Sequence, residues 1–305
     1  MSKASWIAVD WGTSNLRAWA MAADGSVLAH ARSDQGMAGL APGVHGFEPV
    51  LIGLIGDWLG HGITPVVACG MVGSRQGWVE AGYRCVPAAP LSVDGLTRAT
   101  CHDKRISVHV TGGISQTHPP DVMRGEETQI AGLLTQTPDF NGVVAMPGTH
   151  TKWVQVVDGE VFHFASFMTG ELYALLSENS VLRHSVDPKG FQEKPFLEAF
   201  SDAISHPERF AARLFSLRAQ HLLQGTDPQA AAATLSGALL GIEIAASKPY
   251  WLGQEIALMS SGRHTERYAK ALTEVGASFA LYEPDACVLD GLRAAYLTLQ
   301  SASVA

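Results

Sequence analysis

The sequence predicts an α/β protein of two similar domains, and three observations carry that prediction. Short apolar runs alternate with stretches of helical spacing along all 305 residues. A chain of that length suits two domains better than one. The third observation is an internal echo: strand, Gly-Thr turn, strand, Asp-Gly turn and strand occur once near the start and again from residue 143. Gly12-Thr13 recurs as Gly148-Thr149, and Asp24-Gly25 as Asp158-Gly159, at offsets that differ by two residues.

The elements follow in order. Residues 5–10 form a buried strand, and 16–22 and 27–31 complete a meander around the turn Ala23-Asp24-Gly25-Ser26. The spacing of Val44, Phe47, Val50, Leu51, Leu54, Ile55 and Trp58 predicts a helix over 43–59, with Pro49 in its early turns. A short strand over 65–69 leads into the polar, Gly-rich stretch 70–82. Residues 83–105 read as irregular and 106–110 as a strand. A helix over 125–136 opens with Glu126 and Glu127, where the helix dipole favours negative charge. The polar turn 137–142 sets the expected boundary between domains 1–140 and 141–305. Beyond it, strands over 143–146, 151–157 and 160–167 repeat the opening. Helices are expected over 171–182, 210–223, 230–246, 265–275 and 289–299, a strand over 255–260, and a loop over 183–194.

Composition narrows the class. Hydrophobic residues at 47% and charged residues at 16% describe a globular chain with a substantial core. The net charge of −8, with no concentration of Lys and Arg, argues against nucleic acid and anionic membranes as partners. It leaves room for a small anionic ligand in a local positive pocket. Cys69, Cys85, Cys101 and Cys287 show no C-x-x-C spacing and are expected as reduced, buried thiols. The apolar run before Asp10 is too short for a signal-peptide core, and no stretch is expected to span a membrane, so a cytoplasmic protein is expected.

A turn rich in Gly, Thr and Ser just after a strand can aim successive backbone N–H groups at an anion. The first such turn offers Gly12, Thr13 and Ser14; the second offers Gly148, Thr149, His150, Thr151 and Lys152. Either alone is equally a loop closing a hairpin. Together they suit the β- and γ-phosphates of ATP. His150 either contacts phosphate or shapes the loop, and Lys152 either offsets phosphate charge or sits on a solvated strand face. Asp10, ending the first strand, suits Mg²⁺, which takes few carboxylates and several waters. Phosphoryl transfer to an alcohol needs a carboxylate to orient the nucleophile and accept its proton. Glu126 and Glu127 are the candidates, with dipole-complementing surface glutamates as the alternative. Glu126 is placed first, because it lies three residues before Gln129 on one helical face. The twelve histidines form no pair with metal-ligand spacing.

Asp10-x-Gly12-Thr13-Ser14-x-x-Arg17 resembles the first phosphate motif of the sugar kinase, Hsp70 and actin superfamily. Pro147-Gly148-Thr149-His150-Thr151-Lys152-Trp153 resembles its second. Three more segments complete a closer resemblance: Gly70-Met71-Val72-Gly73-Ser74-Arg75-Gln76-Gly77-Trp78, Met123-Arg124-Gly125-Glu126-Glu127-Thr128-Gln129 and Met168-Thr169-Gly170-Glu171-Leu172. In this order, over most of the chain, they resemble the 2-dehydro-3-deoxygalactonokinase family.

That resemblance implies two ribonuclease H-like (actin-like ATPase) domains with an ATP cleft between them. It implies Mg²⁺ at Asp10, Arg17 among the phosphate contacts, and Glu126 or Glu127 as the base. The implied reaction phosphorylates O6 of 2-dehydro-3-deoxy-D-galactonate, in galactonate catabolism. The sugar acid would meet Ser74, Arg75 and Gln76, with Trp78 as an apolar wall. Arg75 suits a carboxylate because guanidinium offers two parallel N–H donors, a surface ion pair being its plainer role. Ser261 and Gly262 would meet adenosine, with Ser260 standing where the family pattern has glycine. Thr169-Gly170-Glu171 is expected as a helix cap rather than a ligand contact. The implied partners are ATP and a sugar acid, and a homo-oligomer is left open. The competing readings are a kinase of this fold for another sugar or sugar acid, and an ATP-gated interaction module without catalysis.

Overall fold

The structure, a computed structural model, describes residues 3–304. Strand β1 (Trp6–Trp11) pairs antiparallel with β2 (Leu16–Met21), and β2 with β3 (Val27–Ser33). Helix α1 (Val44–Ile55) then carries the chain to β4 (Thr64–Gly70), parallel to β1. After β5 (Tyr83–Cys85) and β6 (Leu96–Arg98), β7 (Ile106–Thr111) runs parallel to β4. The sheet order is β3-β2-β1-β4-β7-β6. A smaller sheet joins β5, β8 (Gly113–Thr117) and β9 (Pro120–Met123), and delivers the chain to α2 (Glu126–Gln136). The stretch 83–105, expected to be irregular, therefore holds two strands, each too short for a two-residue period to register.

The next elements are β10 (Gly142–Met146), β11 (Thr151–Val157), β12 (Glu160–Phe167) and α3 (Thr169–Ala174). Helices α4 (Glu193–Ser205), α5 (Phe210–Gln224), α6 (Pro228–Ala246) and α7 (Lys248–Trp251) follow. Then come β13 (Ile256–Met259), α8 (Gly262–Glu274), β14 (Phe279–Tyr282) and α9 (Pro284–Val304). The second sheet has the order β12-β11-β10-β13-β14, the same path as β3-β2-β1-β4-β7 in the first. In both, a meander leads into parallel strands, the ribonuclease H-like arrangement of actin-like ATPases; helices carry the chain to β4, β13 and β14, whereas residues 71–105 reach β7 through β5 and β6 without an α-helix. Helix α4 was not expected; Pro195 reads as a breaker, yet in the first turn of a helix proline is tolerated.

The chain divides into two compact units, and the division differs from the expected domains 1–140 and 141–305. One unit holds the stretch up to residue 140, residues 156–163 and the chain from 283 onward; the other holds 141–155 and 164–282. Helix α9 thus belongs to the first unit. It packs so closely on α2 that a Cβ on Gly132 would lie 1.8 Å from the Cys287 carbonyl oxygen, and one on Gly291 1.8 Å from that of Thr128. Only glycine lets two helix backbones meet in this way. Trp6 stacks on Tyr296 with centroids 4.3 Å apart. Ala88 and Val161 form a bridge that ties the 156–163 segment into the same unit.

Trp11, Phe47, Leu51, Val66 and Val108 fill the core of the first unit. Val143, Trp153, Phe196, Phe200, Ile244 and Leu258 fill that of the second. Helix α6, at 19 residues, is long and apolar enough to cross a bilayer, contrary to expectation. Within the second unit 67% of that window is buried, the pattern of a core helix. All four thiols are free. Cys69 and Cys287 are buried, but Cys101 is half-buried and Cys85 is exposed on β5, which corrects the expectation of four buried thiols.

Candidate active site

In the first unit, β1, β4 and β7 run parallel and end together, so Asp10, Cys69 and Thr111 lie side by side at their carboxyl ends. Ligands of open α/β sheets bind outside such ends. Helix α2 starts here and turns Glu127 inward. Glu127 is fully buried; Oε2 accepts the Gly125 N–H at 2.6 Å, and Oε1 the hydroxyls of Thr128 at 3.1 Å and Thr111 at 3.4 Å. Burial, and then the charge of Glu126, push its carboxyl from 4.5 up to about 7. Glu126 is only half-buried and accepts the Arg124 N–H at 2.9 Å. The structure thereby distinguishes by environment two glutamates that sequence left unresolved, Glu127 being buried and Glu126 half-buried. The available signal was Ile130, three residues after Glu127 and fully buried on the same helical face.

Asp10 Oδ2 accepts from Arg17 Nε at 3.0 Å and from Nη2, while Arg17 Nη1 pairs with Asp285 at the start of α9. Arg32 joins Asp285 at 2.7 Å. Arg17, expected among the phosphate contacts, therefore has its three nitrogens engaged by two carboxylates and holds Asp10 in place. The cross-strand register Asp10↔Arg17 is the physical reason. Among the described residues, Oδ1 of Asp10 has the Cys69 thiol, at 3.7 Å, as its one hydrogen-bond partner. Among the described residues no group of three or more His, Cys, Asp or Glu is arranged to hold a metal. An ion that takes one carboxylate and completes its shell from phosphate and water fits Asp10.

The first turn is fixed from behind. Gly12 N–H donates to the Asn15 carbonyl at 2.9 Å, and the N–H groups of Met37 and Ala38 donate to the carbonyls of Gly12 and Thr13, each at 3.0 Å. Thr13 and Ser14 are exposed, and their hydroxyls have no hydrogen-bond partner among the described residues.

The sugar-acid stretch divides. Arg75 and Gln76 are exposed, Arg75 touching only Glu80 at 3.4 Å in the surface ion pair that was its plainer role. Ser74 is buried and donates to Met37 Sδ at 3.1 Å. Trp78, expected as an apolar wall, is a core residue: it packs on Trp11 and Phe47, and its indole N–H donates to the Thr100 carbonyl at 2.9 Å. Sequence reasoning missed Arg124. Its guanidinium lies 4.3 Å over the Tyr83 ring and donates through Nη2 to Ala81 at 2.7 Å, while Nη1 is buried beside Gly73 with no hydrogen-bond partner among the described residues.

In the second unit, Gly148, Thr149 and His150 form the accessible part of the second turn. Thr151 and Lys152 are buried. The Thr151 hydroxyl meets Tyr268 OH at 2.8 Å, so it serves the interior rather than an anion, and Lys152 is not on a solvated face. His150 Nε2 meets Glu171 Oε2 at 2.5 Å. Thr169 is not a cap; its hydroxyl donates to Glu243, and the capping position is Met168, with no side-chain cap. A cavity of about 420 Å³ adjoins the turn, within the range of small-molecule sites. It is lined by Gly148, Thr149, Tyr173, Arg263, His264 and Arg267, among others. Ser261 and Gly262 are exposed at the start of α8, immediately before Arg263. Burial and the two arginines lower the His264 pKa and favour its neutral form.

The pattern of the 2-keto-3-deoxy-galactonokinase family matches residues 10–295. This chain belongs to that family. It is 39% identical over 294 residues to a protein of Rhizobium meliloti (strain 1021) described as a probable 2-dehydro-3-deoxygalactonokinase, covering 94% of this chain and 95% of the relative. It is 34% identical over 295 residues to the 2-dehydro-3-deoxygalactonokinase of Escherichia coli (strain K12), covering 95% and 97%. A crystal structure from Sinorhizobium meliloti described under the same family name matches with a TM-score of 0.88 at 38% identity, covering 95% of each chain. The five motif segments of this 2-keto-3-deoxy-galactonokinase family member therefore sit within a relationship that spans nearly the whole chain.

Proposed function

We propose that the protein transfers the γ-phosphate of ATP to O6 of 2-dehydro-3-deoxy-D-galactonate, giving 2-dehydro-3-deoxy-6-phospho-D-galactonate in the cytoplasm. Family membership supports the reaction class. The observation that carries the residue assignment is Glu127, a carboxyl held near pKa 7 at the strand ends beside Asp10. A base works best with a pKa close to the working pH. In the proposed step, Glu127 takes the O6 proton as that oxygen attacks the γ-phosphorus, and the bond to the ADP oxygen breaks. Glu126, the half-buried neighbour, is the second candidate.

The hydroxyls of Thr13 and Ser14 with Gly12, and Gly148, Thr149 and His150, are the proposed phosphate contacts. Magnesium would be held by Asp10, fixed by Arg17, and would neutralise charge on the transferred group. The cavity beside Arg263 and Arg267, with Ser261 and Gly262 at its edge, suits the nucleoside. Arg75 remains the proposed partner of the substrate carboxylate, with Arg124 as a second cation close to the same stretch.

An assay of ADP release against a panel of 2-keto-3-deoxy sugar acids tests the reading. The galactonate-derived acid should give the highest kcat/KM, above its C4 epimer. Equal values with a carboxylate-free analogue would overturn the role of Arg75. ATP binding without turnover on any sugar acid would favour the non-catalytic module instead.

A further inference from the structure

Glu243 is the one charged side chain of α6, and it is 2% exposed. Its oxygens accept hydrogen bonds from three separate elements. Trp153 Nε1 on β11 donates to Oε1 at 2.9 Å, Tyr268 OH on α8 reaches each oxygen at 2.9 Å, and the hydroxyl of Thr169, the first residue of α3, donates to Oε2. Tyr268 OH also meets the hydroxyl of Thr151, where β11 begins. These donors converge on the second turn. Gly170, next to Thr169, lies so close that a Cβ there would come within 2.3 Å of the Gly148 carbonyl oxygen. The Glu171 N–H donates to the Thr149 carbonyl at 3.0 Å. One carboxylate thus joins the strand that leaves the turn, the helix that lies against it, and the helix that lines the adjoining cavity.

A carboxylate here is not what packing alone would select. Burying a charge is unfavourable unless hydrogen bonds compensate, and apolar residues of similar volume often serve stability as well or better. Carboxylate oxygens are acceptors, and here the indole N–H and two hydroxyls supply donors to both of them.

We propose that Glu243 is a positioning residue for ATP: through Thr169, Trp153 and Tyr268 it fixes the second turn and the start of α8 in the arrangement that receives the nucleotide, without touching it. This rests on the reading of Gly148-Thr149-His150 as a phosphate turn. Gln in place of Glu243 keeps the shape but turns one acceptor into a donor that faces a donor.

The test is calorimetric titration with Mg-ATP in the absence of sugar acid, beside steady-state kinetics and thermal melting. Variants Glu243→Gln and Thr169→Val should each raise the ATP Kd and KM by about tenfold, equivalent to about 1.4 kcal/mol. The KM for the sugar acid should stay at its wild-type value, and Thr169→Ser should restore ATP binding. Wild-type ATP affinity in Glu243→Gln, with only a lowered Tm, would overturn the positioning role and leave the kinase reading intact. If Glu243→Gln does not fold, Thr169→Val decides in the same way. Failure of the wild-type protein to bind ATP would overturn both.

Discussion

Each unit buries one carboxylate beside its glycine turn or strand ends, and the two are handled in opposite ways. Glu127 is fully buried and Glu243 is 2% exposed, and burial raises the pKa of both. At Glu127 the neighbouring charge of Glu126 adds to the rise, hydrogen bonds from Gly125 and Thr128 oppose it, and the pKa reaches about 7. At Glu243 the hydrogen bonds from Thr169, Trp153 and Tyr268 oppose the rise, and each of those donors anchors a different element. Desolvation alone therefore does not make a base. The two differ in what surrounds them: Glu127 has a like charge beside it, whereas Glu243 is held by donors from three elements.

The largest effect should separate the two by chemistry. Glu127→Gln should lower kcat/KM by about 10²–10⁴-fold in an ADP-release assay, while Mg-ATP affinity stays near wild type. An equal loss of kcat in Glu243→Gln would erase the contrast. Stability should separate them next. The folded pKa of Glu127 lies above the ordinary 4.5, so folding favours its protonated form. Below about pH 4.5 no penalty is felt; as pH rises through about 7 the buried charge should remove about 3 kcal/mol of stability. Denaturant unfolding at pH 5 and pH 8 should show this slope in the wild type, and Glu127→Gln should flatten it. The acidic limb of kcat/KM should fall below about pH 7 for the same reason.

A smaller effect probes the anchoring by Glu243. Gly170→Ala forces a methyl against the Gly148 carbonyl and should lower stability by about 1–3 kcal/mol in thermal melts, with weaker ATP binding. Unchanged ATP affinity would show that the turn tolerates displacement and that Glu243 stabilises little besides the fold. The smallest effect on the fold should come from Arg75→Ala. Its exposed pair with Glu80 contributes about 0.2–1 kcal/mol at most, while the KM for the sugar acid should rise about tenfold. A KM that does not move would shift substrate selection to Arg124.

The two meanders were legible because apolar runs punctuated by Asp-Gly and Gly-Thr turns specify hairpins locally. Strands β5 and β6, three residues each, were not, since their burial comes from neighbours distant in sequence. In the site, Asp10 and the Glu126-Glu127 pair were visible as residue types at a strand end and a helix start. The anchoring of Arg17 by Asp285 was not, because that partner arrives 268 residues later. Glu243 left one usable sign: a lone charge in an otherwise apolar helix is almost never buried unpaired.

The docking of α9 into the first unit also sets an order of events during synthesis. Its Val288, Leu292 and Ala295 cover Trp6, Val67 and Cys69, so a ribosome must finish the entire second unit before that surface can close. The first unit begins first and is completed last. Asp285, which secures Arg17 and through it Asp10, is among the late arrivals. A nascent chain halted before α9 would carry a finished second unit and an open first one, with exposed tryptophans within reach of chaperones.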